Sequence, residues 1–131
     1  RVVGAIAKMM DNLQICAPRA PQVALANSLS ALDDWRAGNR TEINERAEAL
    51  RQAMGTLPSW RIDAIGAYFA YVRHPWPAQS SIDVAERLAR DKGIITLPGA
   101  FFGPGQEHYL RIAFANVTAD LFEILAHRLA D

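Results

Sequence analysis

The stretch Tyr-Leu-Arg-Ile-Ala-Phe-Ala at residues 109–115 alternates large apolar residues with others, which is typical of a half-buried strand. Period two places Leu110, Ile112 and Phe114 on one face and Arg111 on the opposite face. An arginine in so apolar a strand needs an anion nearby, because an unpaired buried charge is costly. Its planar fork suits a carboxylate. From the strand alone, that carboxylate belongs to a ligand or to an Asp or Glu of the chain, unless the arginine is simply exposed.

The segments around this strand predict a mixed α/β fold. Branched and aromatic runs predict further strands at residues 1–7, 64–72 and 94–97, and the strand around Arg111 extends over 108–115. Apolar spacings of three and four predict helices at 22–38 and 41–54, one that starts after Ser80 and ends at Gly93, and one capped by Thr118. We expect a two-layer α+β domain, with helices packed on a small mixed sheet of about three to four strands.

The helix periodicity also predicts which side chains form the core. Leu50, Leu88 and Leu125 are expected to be buried. The expected inner faces are Ile43, Ala47, Leu50 and Met54 in the helix at 41–54; Ile82, Ala85, Leu88 and Ala89 in the next; and Leu121, Ile124, Leu125 and Leu129 in the last.

Composition excludes several classes of function. The 131 residues carry 14 basic and 14 acidic side chains, and this balance argues against nucleic-acid or membrane-surface binding. The single cysteine, Cys16, forbids an internal disulfide and is compatible with a reduced, cytoplasmic setting. His74, His108 and His127 lack metal-ligand spacing, so no metal site is predicted.

Three blocks in order resemble the C-terminal part of one enzyme family. They are Gly-Ala-Tyr-Phe-Ala-Tyr-Val at 66–72, Gly-Ile-Ile-Thr-Leu-Pro-Gly-Ala-Phe-Phe-Gly at 93–103 and Leu-Arg-Ile-Ala-Phe-Ala at 110–115. The order and spacing are similar to those of class I/II aminotransferases, the pyridoxal-phosphate (PLP) enzymes of fold type I. The resemblance implies an enzyme that transfers an amino group between an amino acid and a 2-oxo acid.

The resemblance assigns roles to two arginines. Arg111 would bind the substrate α-carboxylate. Arg1, in Arg1-Val2-Val3-Gly4, is similar to the family's Arg-x-Gly with one residue added and would contact the cofactor phosphate. Neither Lys8 nor Lys92 matches the family's Schiff-base lysine, which is expected upstream of Arg1. The full-length parent is therefore expected to be an enzyme, and this chain alone to be inactive.

The same resemblance implies a domain division and an assembly. Residues 1–20 would be the end of the large PLP-binding domain and its connection, and residues 21–131 the C-terminal small domain of a cytoplasmic homodimer. Because the chain starts inside a predicted strand, it is expected to be a fragment. Two alternatives remain open: a PLP-dependent lyase or decarboxylase of the same fold, and a non-catalytic regulatory or dimerisation module.

Overall fold

The computed structural model describes residues 2–13 and 17–130, and the chain divides into two compact units, Arg1–Asn39 and Arg40–Asp131. The elements in chain order are α1 (Val2–Leu13), α2 (Arg19–Ser28), a 3-10 turn (Leu29–Leu32), α3 (Asp33–Gly55), β1 (Arg61–Gly66), β2 (Phe69–Arg73), α4 (Ser81–Lys92), β3 (Leu97–Pro98), a second 3-10 turn (Gly99–Phe102), β4 (Tyr109–Ala113) and α5 (Leu121–Ala130). None of the helices in the described ranges combines the length and apolarity needed to cross a bilayer.

The four strands form one antiparallel sheet in the order β1-β2-β4-β3. Helices α3, α4 and α5 contribute side chains to a core with one face of this sheet, so the second unit has the predicted two-layer architecture. The core residues of the helices are Leu50, Ala53 and Met54; Val84, Ala85 and Leu88; and Phe122, Ala126 and Leu129. The other face of the sheet carries half-buried and exposed side chains, and it holds the candidate site.

The prediction of a strand at residues 1–7 is wrong for the described part, because α1 is a helix. Val2, Ile6, Met9 and Leu13 recur at spacings of three and four, and that helical period overrides the strand preference of the paired valines. No residue of α1 is buried.

The boundary predicted at Gly38 is also wrong, since α3 runs without a break from Asp33 to Gly55. A glycine inside a helix costs only about 1 kcal/mol relative to alanine, and the strong helix formers that follow offset it. Glu42 and Arg46 form an ion pair on this helix, and Arg46 also donates to the carbonyl of Ala115.

The predicted strand at 64–72 is in fact a hairpin. β1 and β2 pair with Gly66 opposite Phe69, and the two-residue turn between them places Ala67 at φ 48°. The strand predicted at 94–97 is mostly wrong, because β3 shares only Leu97 with it and continues to Pro98, whereas the strand predicted at 108–115 shortens to β4.

Helix α4 confirms its predicted ends. The Ser80 hydroxyl accepts a hydrogen bond from the Asp83 amide, and Gly93 closes the helix with φ 64°. The predicted inner faces of α4 and α5 are each partly wrong: Ile82, Ala89, Leu121 and Ile124 are exposed, and Val84, Phe122 and Ala126 are buried instead. Helix α5 begins at Leu121, three residues after its predicted cap Thr118.

Candidate carboxylate-binding site

Strand β4 places Arg111 on the less covered face of the sheet. Leu110, Ile112 and Phe114 are buried on the opposite face, as the alternation predicts. Arg111 itself is half-buried, and it lies directly opposite Tyr71 of β2 and Leu97 of β3. The arginine is therefore held in the middle of the sheet between two neighbouring strands.

Two aromatic rings contact the Arg111 guanidinium. Its central carbon lies 4.2 Å from the ring centre of Phe69 and 4.7 Å from that of Phe102. Each such contact is worth about 0.5–1 kcal/mol where solvent has access. Among residues 2–13 and 17–130, no Asp or Glu forms an ion pair with Arg111. The internal ion pair, one of the alternatives left open by the sequence, is thus not observed within the described residues.

Tyr71 supports the Phe102 ring from the side. The two rings meet edge to face with centres 6.4 Å apart, and Tyr71 also stacks on Tyr109 at 4.7 Å. The Tyr71 hydroxyl donates to the side-chain oxygen of Gln106 at 2.8 Å. Burial, with a smaller contribution from Tyr109, raises the pKa of Tyr71, so this hydroxyl stays protonated at neutral pH.

A charged cluster occupies the same face next to these rings. The Tyr109 hydroxyl donates a hydrogen bond to the Asp63 carboxylate at 2.9 Å and accepts one from Arg73. Arg61 also donates a hydrogen bond to the Asp63 carboxylate, at 3.0 Å. Hydrogen bonds to its carboxylate, of which the one from Arg61 has the largest effect, hold the pKa of Asp63 well below its usual range. The same carboxylate raises the pKa of Arg61. Asp63 is therefore an ionised anchor for the ring of Tyr109.

The structure brings together two of the three histidines. The rings of His74 and His108 lie 6.0 Å apart, and His74 is only 4% exposed. One His74 ring nitrogen contacts the carbonyl of Glu107 at 3.2 Å, and the other accepts the Trp76 amide at 3.4 Å, which assigns the neutral ring with its proton toward Glu107. No group of three metal-ligating side chains occurs in the described part of the chain.

The residues of this chain that bear on a cofactor are Arg1, Lys8 and Lys92. Arg1, the predicted phosphate contact, and Cys16 lie outside the described residues. Lys8 is exposed on α1, and Lys92 lies at the last turn of α4, where its carbonyl accepts a hydrogen bond from Arg128. Neither of these lysines is buried, so neither fits the lysine that would hold PLP covalently.

Several solved aminotransferases share this fold. An archaeal alanine:glyoxylate aminotransferase superposes with a TM-score of 0.77 at 20% identity, covering 93% of this chain and 32% of that chain. The aromatic aminotransferase of Pyrococcus horikoshii gives a TM-score of 0.73 at 21% identity, covering 93% of this chain and 33% of that chain. At these identities the likeness establishes the fold.

The family model for aminotransferase class I and II matches residues 1–129, so the chain belongs to this family. An aspartate aminotransferase from Pyrococcus horikoshii is 25% identical over 107 residues, which cover 79% of this chain and 27% of that protein. The (5-formylfuran-3-yl)methyl phosphate transaminase of Methanocaldococcus jannaschii is 26% identical over 116 residues, covering 88% of this chain and 30% of that protein. The chain spans less than a third of the length of these relatives.

The alternation of β4 indicates Arg111 as a candidate, but it does not indicate the residues around it. Phe69 and Phe102 lie within the blocks quoted for the family resemblance, and period two alone puts Phe69 and Tyr71 on one face of their strand. Nothing in the sequence indicates that Asp63 joins Arg73 and Tyr109, because Asp63 lies at an irregularity in the pairing of β1 with β2.

Proposed function

We propose that this chain is the C-terminal part of a PLP-dependent aminotransferase and that Arg111 binds the α-carboxylate of its amino acid and 2-oxo acid substrates. One observation supports this role most directly. The Arg111 guanidinium is half-buried between aromatic rings and has no ion pair with a described Asp or Glu, so its N–H donors are available for an external carboxylate.

The action of Arg111 is to bind and orient. A carboxylate held by two parallel hydrogen bonds has a fixed plane, and the bonds that leave its α-carbon then have a fixed direction. The α-carboxylate is common to the amino donor and the 2-oxo acceptor, so one arginine serves both half-reactions. The same contact made to both substrates leaves their side chains to be selected elsewhere.

The proposal includes the cofactor PLP because the chain belongs to the aminotransferase class I and II family. PLP would withdraw electrons from the substrate α-carbon when bound, and the lysine that holds it would lie outside these 131 residues, upstream of Arg1. Arg1 as a phosphate ligand, the division into residues 1–20 and 21–131, a homodimer and a cytoplasmic location are further parts of the same proposal.

The test is the replacement of Arg111 in the longer protein that carries this chain together with the cofactor lysine. Arg111→Ala is expected to lower kcat/KM for amino acid and 2-oxo acid by at least about 100-fold, because each charge-assisted hydrogen bond is worth roughly 1.5–3 kcal/mol. Cofactor binding, followed by absorbance near 400 nm, is expected to remain.

Arg90→Ala is the matched control, since Arg90 is an exposed arginine in the last turn of α4. It is expected to change kcat/KM by less than twofold. A loss below threefold for Arg111→Ala contradicts the proposed role. Conversion of the amino acid without a 2-oxo acid acceptor would indicate a lyase or decarboxylase, and absence of the 400 nm band at saturating cofactor a non-catalytic module.

A further inference from the structure

We propose that Phe69 and Phe102 are positioning residues that fix the plane of the Arg111 guanidinium, so that its N–H edge is presented to a carboxylate. The inference rests on the proposed function of Arg111 and adds the two side chains through which that arginine is held. Of the described aromatic rings, only these two lie over its guanidinium.

The two rings reach Arg111 from different elements. Phe69 belongs to β2, where it pairs with Ala113, and Arg111 pairs with Tyr71, so Phe69 and Arg111 are diagonal neighbours on one face of the sheet. Diagonal neighbours across antiparallel strands are within reach of aromatic and long side chains. Phe102 is the last residue of the 3-10 turn that follows β3.

The backbone that carries Phe102 is tightly constrained. A side-chain carbon on Gly99, the first residue of the turn, would lie 2.2 Å from the carbonyl oxygen of Gln106 and 2.7 Å from that of Tyr109. Only glycine permits this approach. The Tyr71 ring meets Phe102 edge to face, and the Tyr71 hydroxyl is fixed by Gln106. Phe102 is thus supported by both its turn and its neighbour.

This arrangement has a direct consequence for binding. Aromatic faces attract the guanidinium face, whereas the five N–H donors of arginine point outward in its plane. A long side chain that is free in the unbound protein loses rotamer freedom when it binds a ligand, and that loss weakens binding. The rings restrict Arg111 beforehand, so their removal should weaken carboxylate binding even though neither ring touches the carboxylate.

The kinetic test compares ring removal with ring conservation in the longer protein. Phe69→Leu and Phe102→Leu are each expected to raise KM for the amino acid about threefold, the value expected for losing one cation–π contact, with kcat changed less than twofold. Phe102→Tyr keeps the ring and is expected to restore KM to within 1.5-fold of wild type.

The matched control is Phe101→Leu. Phe101 is adjacent in sequence and 66% exposed, so its replacement is expected to leave KM unchanged. The inference is overturned if both leucine variants at 69 and 102 keep the wild-type KM, or if Phe101→Leu raises KM as much as they do. Wild-type KM in Arg111→Ala overturns the proposed function instead.

A second measurement needs no enzymatic activity. In NMR spectra of the longer protein that carries this chain, ring currents from Phe69 and Phe102 should shift the side-chain Hδ and Hε signals of Arg111 upfield of their values in unfolded peptides. Phe69→Leu or Phe102→Leu should each remove part of that shift. Arg111 signals at unfolded-peptide positions in the folded wild-type protein would overturn the inference whatever the kinetics show.

Discussion

Arg73 and Arg111 lie on the same face of the sheet in neighbouring strands, yet their surroundings differ. Arg73 contacts the carboxylate of Asp63 at 3.4 Å and the hydroxyl of Tyr109. Arg111 contacts two phenylalanine rings and forms no ion pair with a described carboxylate. The first arginine is therefore part of the structure's own charge balance, and the second is available to a ligand.

His74 gives a prediction for the pH dependence of stability. Burial lowers the pKa of His74 most, the hydrogen bond to the Glu107 carbonyl partly opposes this, and His108 and Arg87 lower it further. Between the lowered pKa in the folded state and the ordinary value of about 6.5, the unfolded chain binds more protons than the folded one. The free energy of unfolding should therefore fall as the pH decreases below about 6.5, and it should be fully retained above that value.

The measurement is the free energy of unfolding from denaturant titrations between pH 7 and pH 5. Gln at position 74 cannot be protonated, so His74→Gln should flatten the curve in this window. Equal slopes for wild type and His74→Gln would contradict the prediction.

At the scale of the element, the helix faces determine the cost of core substitutions. Leu50 and Leu88 are almost completely buried, so Leu→Ala at either position should cost about 2–5 kcal/mol of the free energy of unfolding. Leu125 is only half-buried against the core, and its replacement by alanine should cost about 1 kcal/mol. Urea unfolding of the three variants checks this order. A cost at Leu125 that equals the cost at Leu50 would show that α5 is rotated from its position in the structure.

The elements that the sequence predicts well are those whose ends have local chemistry. Helix α4 has a serine cap, an aspartate three residues later and a terminal glycine. Each of these signals acts within one turn of the helix end at which it lies. The hairpin of β1 and β2 has no such signal. Its turn uses Ala67 at a positive φ, where glycine or asparagine is usual, so the sequence reads as one continuous strand.

In the candidate site too, local sequence signals predict some features and not others. Alternation within one strand suffices to separate Arg111 from its buried neighbours Leu110 and Ile112. The contacts of Arg111 with Phe69 and Phe102 depend on the register between β2 and β4 and on the path of the turn before β4. Register is set by the packing of the whole sheet, so a single strand's pattern cannot specify it.

At the scale of the molecule, helices cover one face of the sheet and the proposed carboxylate site lies on the other. The helical layer supplies the stability, and the opposite face presents Arg111 with its two rings on rigid strands and a constrained turn. A binding group on a strand keeps its geometry better than one on a loop. The substrate contacts beyond the carboxylate, and the cofactor itself, would come from outside these 131 residues under the proposed function.

The 131-residue chain by itself is therefore expected neither to bind PLP covalently nor to transfer amino groups. A lysine that bonds to PLP must be held against the ring in a pocket that limits water, and the only lysines of the sequence are Lys8 and Lys92. Lys8 is exposed on a helix without a buried residue, and Lys92 lies at the end of α4. The purified chain should be titrated with PLP, reduced with borohydride and mapped by mass spectrometry, with Lys8→Arg and Lys92→Arg as controls. Only weak labelling, shared between both lysines, is expected. Stoichiometric labelling of one lysine at micromolar PLP, abolished by replacing that lysine alone, would contradict the prediction and place a complete cofactor site within this chain.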